Sequence, residues 1–338
     1  MYFLETLSQI NFELSSHCNS KCPQCGRYDI FGRTHKDLYI THLDVKVIKK
    51  LPLARMKNLK MVSFGGNFGD ALMHPDLNEI MDFFQQQQIS ITTNASLRSR
   101  QWWSDLGTNK NVSVTFCIDG IGKEHEYYRR NTSYDKIIEN AKSFIDNGGT
   151  ALWQFIVFRH NEHQIEEAKK LSNELGFKKI QFIYSDRFDT SNKWKVYDNN
   201  KYLYDLEKSS HQTTLRESLN VPEGEKYWKQ LNNNKGAITC IWKEQKKIYI
   251  HSDGTVYPCC MIGGIRSGRE IENLLLKKIV KDYNSIDLHH NDIADILASE
   301  VFKKNLPDSF HGNPFQHPVC IEWCNKSTGK SYFNNEVE

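Results

Sequence analysis

The feature that most constrains this chain is a strict alternation of two hydrophobic periods along roughly its first 185 residues. Residues 10–14, 59–64, 89–93, 112–118, 152–158 and 179–184 read as strands, by period-two alternation or as short β-branched apolar runs. Between them, residues 43–51, 77–84, 97–106, 134–147 and 162–175 carry apolar positions at helical spacing. Gly148-Gly149 and Gly176 stand where left-handed C-caps end two of these helices, and Ser96 is the predicted N-cap of another. Strands alternating with helices in this way call for a parallel sheet with right-handed crossovers, hence an α/β class. Six such units build either an open doubly wound sheet or part of a (β/α) barrel, and periodicity does not separate the two.

The pattern breaks after Ser185. Residues 186–236 are polar and read as an insertion or linker, with one helix expected near 201–208. A further α+β unit is expected over 237–338, so that the division is 1–185, 186–236 and 237–338. In that last unit, residues 248–251 and 255–257 flank Ser252-Asp253-Gly254, a hairpin turn signal. Helices are expected at 270–280 and 292–304.

Chemistry is concentrated in the cysteines. Cys18, Cys22 and Cys25 put three thiols in eight residues directly after the first strand. Nine cysteines scattered at random would give this spacing about 0.006 times per chain. Three thiolates leave one iron of a [4Fe–4S] cluster without a protein ligand, which is what a cluster that binds a substrate needs. The alternatives are a zinc site completed by His17, or a redox dithiol at Cys22 and Cys25. The N-terminus shows no signal-peptide pattern, and no apolar run reaches ~18 residues. A cytoplasmic, reduced chain without membrane spans is therefore expected, in which cysteines serve metals rather than disulfides. A net charge of +3 gives little attraction for nucleic acid, although it does not exclude it. The lysine groups at 243, 246 and 247 and at 277, 278 and 281 read as solvated faces.

Three cysteines at this spacing, after the first strand of a βα series, resemble the radical S-adenosylmethionine (SAM) superfamily. The resemblance implies a partial (β/α)6, TIM-like barrel. It also implies that the amino and carboxylate groups of SAM chelate the open iron, and that one electron cleaves SAM to a 5′-deoxyadenosyl radical that abstracts a substrate hydrogen. Further motifs follow in the family's order. Ser63-Phe64-Gly65-Gly66-Asn67 is similar to the Gly-Gly-Glu stretch whose backbone meets the methionine amino group, with Asn67 in place of the acid and Asp70 nearby as a substitute. Thr93-Asn94-Ala95 resembles Thr-Asn-Gly, and Cys117-Ile118-Asp119-Gly120 resembles Ser-x-Asp-Gly. Arg130 resembles the arginine that pairs with the SAM carboxylate, and Asn161 matches a cofactor-contacting position. The resemblance thus assigns Gly65, Gly66, Asn67, Asn94, Asp119, Arg130 and Asn161 to cofactor binding.

A second cysteine set lies far down the chain. Cys240, Cys259, Cys320 and Cys324 can close a fully ligated site, for zinc or for an auxiliary [4Fe–4S] cluster. The run from Cys240 through Gly254 to Pro258-Cys259-Cys260 resembles the start of a SPASM/twitch extension. With three cysteines in the first set and Cys117 set aside in the β4 motif, five of the nine remain for it, which suits one auxiliary cluster, with Cys260 the spare and the substitute for Cys259. The expected activity is hydrogen abstraction on a small alcohol, such as a sugar or aminoglycoside, or on a peptide, with a flavodoxin or ferredoxin as reductant. The first strand starts near residue 9 and leaves no room for an N-terminal peptide-recognition domain, which favours the small molecule. Nucleotide or nucleic-acid modification is the alternative within the family, and a non-catalytic zinc protein the alternative outside it.

Overall fold

The computed structural model describes residues 2–185, 187–188, 191–211, 238–264, 270–312 and 316–324. Six parallel strands follow one another in sequence order: β1 (Gln9–Phe12), β2 (Met61–Phe64), β3 (Gln88–Thr93), β4 (Val112–Cys117), β5 (Thr150–Val157) and β6 (Lys179–Tyr184). The sheet does not close, because β6 ends one edge while the other edge continues past β1. This is a partial barrel, and it decides between the two architectures that periodicity left open. The crossovers carry α1 (Val45–Lys49), α2 (Leu77–Phe83), α3 (Arg100–Thr108), α5 (Tyr134–Asp146) and α6 (Ile165–Leu175). One short helix, α4 (Lys123–Tyr128), follows β4 and was not expected.

Burial explains why these segments form. Along β5 the pattern alternates between buried and half-buried residues, with Trp153, Phe155 and Val157 inside. On α5, Ile137, Ala141 and Phe144 recur at helical spacing and are fully buried. Trp103, Phe116, Phe144 and Phe177 then form a connected aromatic core between the sheet and its helices.

The C-terminal segment extends the same sheet. β9 (Lys247–Ile250) pairs parallel with β1, and β10 (Val256–Tyr257) returns antiparallel through a turn at Gly254, where φ is +84°. Tyr2 also reaches across, packing on the Phe302 ring at 5.3 Å and lying 3.9 Å from the Cys240 sulfur.

Three sequence expectations are corrected. The helix expected at 201–208 is a strand: β7 (Lys193–Asp198) and β8 (Lys201–Glu207) form an antiparallel hairpin. The reason is Asn199-Asn200, both at positive φ (48° and 71°), a two-residue turn that matches strand twist. The helix expected at 292–304 breaks after Ile293–Ala298, where Ser299 turns extended at ψ 162°, and a π-helical turn follows at Val301–Asn305. The cap of α3 is Ser99, whose side chain accepts from the Trp102 N–H, whereas the Ser96 hydroxyl is bound to Asn94 Oδ1 at 2.6 Å.

Candidate active site and second cysteine site

The C-terminal ends of the parallel strands present their loops to one mouth of the barrel, where side chains from different strands can meet. The loop after β1 carries Cys18, Cys22 and Cys25. The Lys21 N–H donates to the Arg130 carbonyl, Asn131 donates to the Asn19 carbonyl at 2.7 Å, and the Arg27 guanidinium donates to the Ser16 and Phe68 carbonyls. Cys22 is buried, with the Ser20 hydroxyl at 3.0 Å and Arg129 Nη1 at 3.8 Å from its sulfur. Asn94, at the end of β3, places Nδ2 3.8 Å from the Cys18 sulfur. A small second core covers this loop: Cys22 packs with Tyr128, Phe158, Val196 and Leu206, the last two from the β7–β8 hairpin. Burial raises the pKa of the Cys18 and Cys25 thiols, and neighbouring thiols raise them further. An iron centre that took these thiols as ligands would have to displace their protons.

The residues assigned by motif fall into distinct surroundings. Asp119 is fully buried: Oδ2 accepts from Arg129 Nε at 2.5 Å and Oδ1 from the Ile156 N–H at 2.6 Å. Burial pushes the Asp119 carboxyl up while Arg129 pulls it down, with the net shift upward. Arg130 instead pairs with Asp198 on β7 at 2.9 Å, a carboxylate it shares with Lys21. It is therefore Arg129, not Arg130, that stands beside Cys22, Cys117 and Asp119. Two adjacent arginines gave no sequence signal for choosing between them, because the choice depends on which way the turn after α4 faces.

Asn161 uses its whole amide on backbone: Nδ2 donates to the Asp119 and Ile156 carbonyls, and Oδ1 accepts from the Phe158 N–H. It clamps the ends of β4 and β5. Asn67 donates to the Tyr249 hydroxyl at 3.2 Å and the Cys260 carbonyl at 2.8 Å, joining the β2 loop to the C-terminal segment. Asp70 is buried and tied down by the Leu72 and Asn94 N–H groups and the Thr93 hydroxyl. At Gly65 an added Cβ would make ordinary contact with Thr92, at 3.4 Å. At Gly66 an added Cβ would lie 2.7 Å from Glu13 Oε1, so that residue must stay small. Glu13 itself was missed by sequence reasoning. It is fully buried after β1 and accepts from the Phe68 and Gly69 N–H groups and the Tyr249 hydroxyl.

The second set also converges. Cys240, Cys259, Cys320 and Cys324 line one pocket together with Cys260. Burial raises the Cys259 thiol, and Cys260, Cys240 and Cys320 raise it further; burial likewise raises Cys324, with Cys240 adding to it. Cys260, pushed up to about 12 by burial, has Glu13 as its main charged neighbour instead. Among the described residues, no three His, Cys, Asp or Glu side chains are gathered tightly enough to hold one metal ion. A single tetrahedral zinc with Zn–S of about 2.3 Å draws its sulfurs to within about 4 Å of each other. A [4Fe–4S] cluster takes one thiolate on each ligated iron, so both all-cysteine donor sets fit such a cluster.

Residues 12–172 match the model of the radical SAM superfamily, and residues 240–326 match that of an iron–sulfur cluster-binding domain, SPASM. The chain belongs to the radical SAM superfamily. A cysteine-type anaerobic sulfatase-maturating enzyme of Clostridium novyi (strain NT) is 23% identical over 360 residues, covering 95% of this chain and 86% of that one. Among solved structures, Streptococcus suis SuiB is 17% identical with a TM-score of 0.54, covering 77% of this chain and 62% of its own, so this radical SAM chain spans about three-fifths of SuiB. The structure of anSMEcpe with bound AdoMet and Cp18Cys peptide is 16% identical with a TM-score of 0.54, covering 98% of this chain and 92% of that one. The cofactors of this radical SAM protein are accordingly [4Fe–4S] clusters and SAM. No helix among the described residues is long and apolar enough to cross a membrane.

Proposed function

We propose that this chain is a peptide-modifying radical SAM oxidase. In this reading Cys18, Cys22 and Cys25 hold the SAM-binding cluster, Cys240, Cys259, Cys320 and Cys324 hold one auxiliary cluster, and a flavodoxin or ferredoxin delivers the electron. The radical unit is 1–185 and the auxiliary unit 237–338, with 186–236 supplying the hairpin over the cysteine loop. The observation that carries the reading is the presence of two separate cysteine sets, one of three and one of four, in a chain aligned over 95% of its length with a sulfatase-maturating enzyme. The argument for a small alcohol loses its weight, because anSMEcpe, of similar length and fold, holds a peptide.

When bound, the clusters and SAM supply a 5′-deoxyadenosyl radical and a route for electrons. The protein's own residues do the rest. Arg129, fixed by Asp119, offers a positive charge to Cys22. The β7–β8 hairpin and Tyr128 keep water from Cys22 and Cys25. Glu13 fixes the Phe68 and Gly69 amides just beyond Gly65 and Gly66, and the Gly65 N–H donates to the Phe12 carbonyl at 3.2 Å, so the carbonyl side of this glycine pair would meet the cofactor. In the anaerobically reconstituted protein, Cys22→Ala should lower iron from about eight to about four per chain. It should also stop release of 5′-deoxyadenosine from SAM. A variant that keeps full iron and cleaves SAM refutes the assignment, and failure of the wild type to oxidise any cysteine- or serine-containing peptide refutes the substrate class.

A further inference from the structure

Large hydrophobic side chains reach solvent mainly at one corner of this chain. Nine are exposed among the described residues, and six of those lie on residues 30–40 and 202–203. Phe31, 42% exposed, and Tyr202, 50% exposed, join into one patch through Tyr197, whose ring stands 6.0 Å from the first and 5.7 Å from the second. Ile30, 66% exposed, extends it, sharing with Tyr197 the wall of a cavity of about 300 Å³. The two segments that carry the patch are locked together. The Asn200 N–H donates to the Phe31 carbonyl at 2.9 Å, and Lys21 and Arg130 both hold Asp198. Gly32, at φ +71°, leaves no room for a Cβ beside the Tyr197 carbonyl.

Behind the patch lies the first cysteine set. Pro23, between Cys22 and Cys25, lines the same cavity, as does Tyr28, whose N–H donates to the Cys25 carbonyl at 3.1 Å. Val196, the neighbour of Tyr197, packs on Cys22. One layer of side chains therefore separates this surface from the thiols. The corner is also where the positive charge of the chain gathers. Residues 21–37 and 193–208 carry eight basic and five acidic side chains, an excess equal to the +3 of the whole chain. The acids beside the patch are taken: Asp198 by Lys21 and Arg130, Asp29 by Arg33 and Glu207 by Lys193. Lys195 and Lys201 stand exposed, and the Arg33 guanidinium lies over the Phe31 ring at 5.1 Å. An exposed hydrophobic patch with a charged rim marks a docking surface. A small one suits a brief electron-transfer encounter, and an excess of cations steers an acidic partner to it.

We propose that an acidic flavodoxin docks on this corner and reduces the cluster held by Cys18, Cys22 and Cys25. The aromatic patch of Phe31, Tyr197 and Tyr202 meets the exposed ring edge of the flavin, a flat apolar surface that an iron–sulfur carrier lacks. Lys195 and Lys201 meet carboxylates around it. The inference rests on the oxidase reading above, and it names the carrier and the face through which the electron enters. In the balanced step the anionic flavin hydroquinone loses one electron and becomes the neutral semiquinone. The [4Fe–4S] cluster gains that electron, and no proton moves.

The test uses the reconstituted holoenzyme and a purified bacterial flavodoxin in its hydroquinone form. The initial rate of 5′-deoxyadenosine release is read with flavodoxin as the sole reductant and, separately, with dithionite. Lys195→Glu combined with Lys201→Glu should slow the flavodoxin-driven rate at least about tenfold and flatten its fall with added salt, because rim charges act on association. Phe31→Ser should slow it about fivefold or more at every salt concentration. Both proteins should keep the wild-type iron content and the wild-type rate with dithionite. Fluorescence anisotropy of labelled flavodoxin reads docking without turnover and should show the same losses. Unaltered binding, or equal losses with dithionite, overturns the surface. A ferredoxin that loses its drive in these variants while flavodoxin keeps its own overturns the flavin partner. Self-association in sedimentation that Phe31→Ser abolishes, with flavodoxin binding intact, gives the patch to a second copy of this chain and overturns the proposal. A wild type that binds flavodoxin through these residues but releases no 5′-deoxyadenosine with either reductant sinks the oxidase reading and leaves the docking surface standing.

Discussion

Arg129→Met isolates the buried charge pair beside Cys22. Asp119 is 0% exposed and Arg129 14%, so solvent does little to screen the pair. Removing one partner of such a pair leaves an uncompensated buried charge, at a cost of about 3–5 kcal/mol. Unfolding entropy of about 2.1 cal/mol/K per residue sums to about 0.7 kcal/mol/K over the 338 residues. The melting temperature of the reconstituted protein, followed by circular dichroism, should therefore fall by about 4–7 °C. The loss carries a pH signature. Burial already holds the folded-state pKa of Asp119 above its unfolded value, and the two influences that Arg129 exerts both lower it. Without Arg129 the folded pKa climbs further. The deficit of the variant should open as pH rises above the wild-type folded pKa of Asp119 and level off above that of the variant; in strong acid, where Asp119 is protonated in every state, this part vanishes. Arg129→Met combined with Asp119→Asn removes both charges and should recover most of the lost stability. A single variant melting within about 1 °C of wild type, or a double variant no more stable than the single one, refutes this account.

Arg130→Ala should cost only about 0–1 kcal/mol by thermal melt, because its partner Asp198 is 30% exposed and is shared with Lys21, and iron content should stay at the wild-type level. Cys259→Ser should lose the auxiliary cluster by iron analysis, whereas Cys260→Ser should keep it, since Cys240 and Cys320 both act on the Cys259 thiol while the charge acting on Cys260 is that of Glu13. Gly69→Ala would drive a methyl to 1.8 Å from the Ser15 carbonyl and should destabilise the protein by about 3 kcal/mol or more in a denaturant melt. Gly65→Ala meets only Thr92 at 3.4 Å and should change stability by less than about 1 kcal/mol. On the proposed cofactor site it should nevertheless weaken SAM binding in equilibrium dialysis, because the methyl would stand where the glycine backbone approaches the cofactor.

The strands were legible because a barrel strand buries a period that local sequence carries: Lys179–Tyr184 coincides with its expected bounds, and β3, β4 and β5 begin or end within two residues of theirs. The β7–β8 hairpin was not, because its inward side chains, Val196 and Leu206, are too few to set a period and pack against the cysteine loop rather than against each other alone. The N-terminal cysteines were visible as a group because eight residues hold all three. The second set could be named only by its chemistry, and the choice between Cys259 and Cys260 was left open, since two adjacent thiols that line one pocket carry no sequence signal for which of them is the ligand.

By itself the sequence determined the order of elements, the parallel connectivity that alternating strands and helices impose, and the thiols available to a cluster. These are local properties, written in spacing and side-chain type. Tertiary structure alone decided which side chains of that inventory meet. It set Arg129 rather than Arg130 beside Cys22, turned Asn67 toward Cys260, joined β9 to β1, and brought Glu13 and Asp253, 240 residues apart, to the two sides of the His251 imidazole. The physical reason is that direction is set by backbone geometry at strand ends and turns, where one residue of rotation carries a side chain from the barrel mouth to another wall.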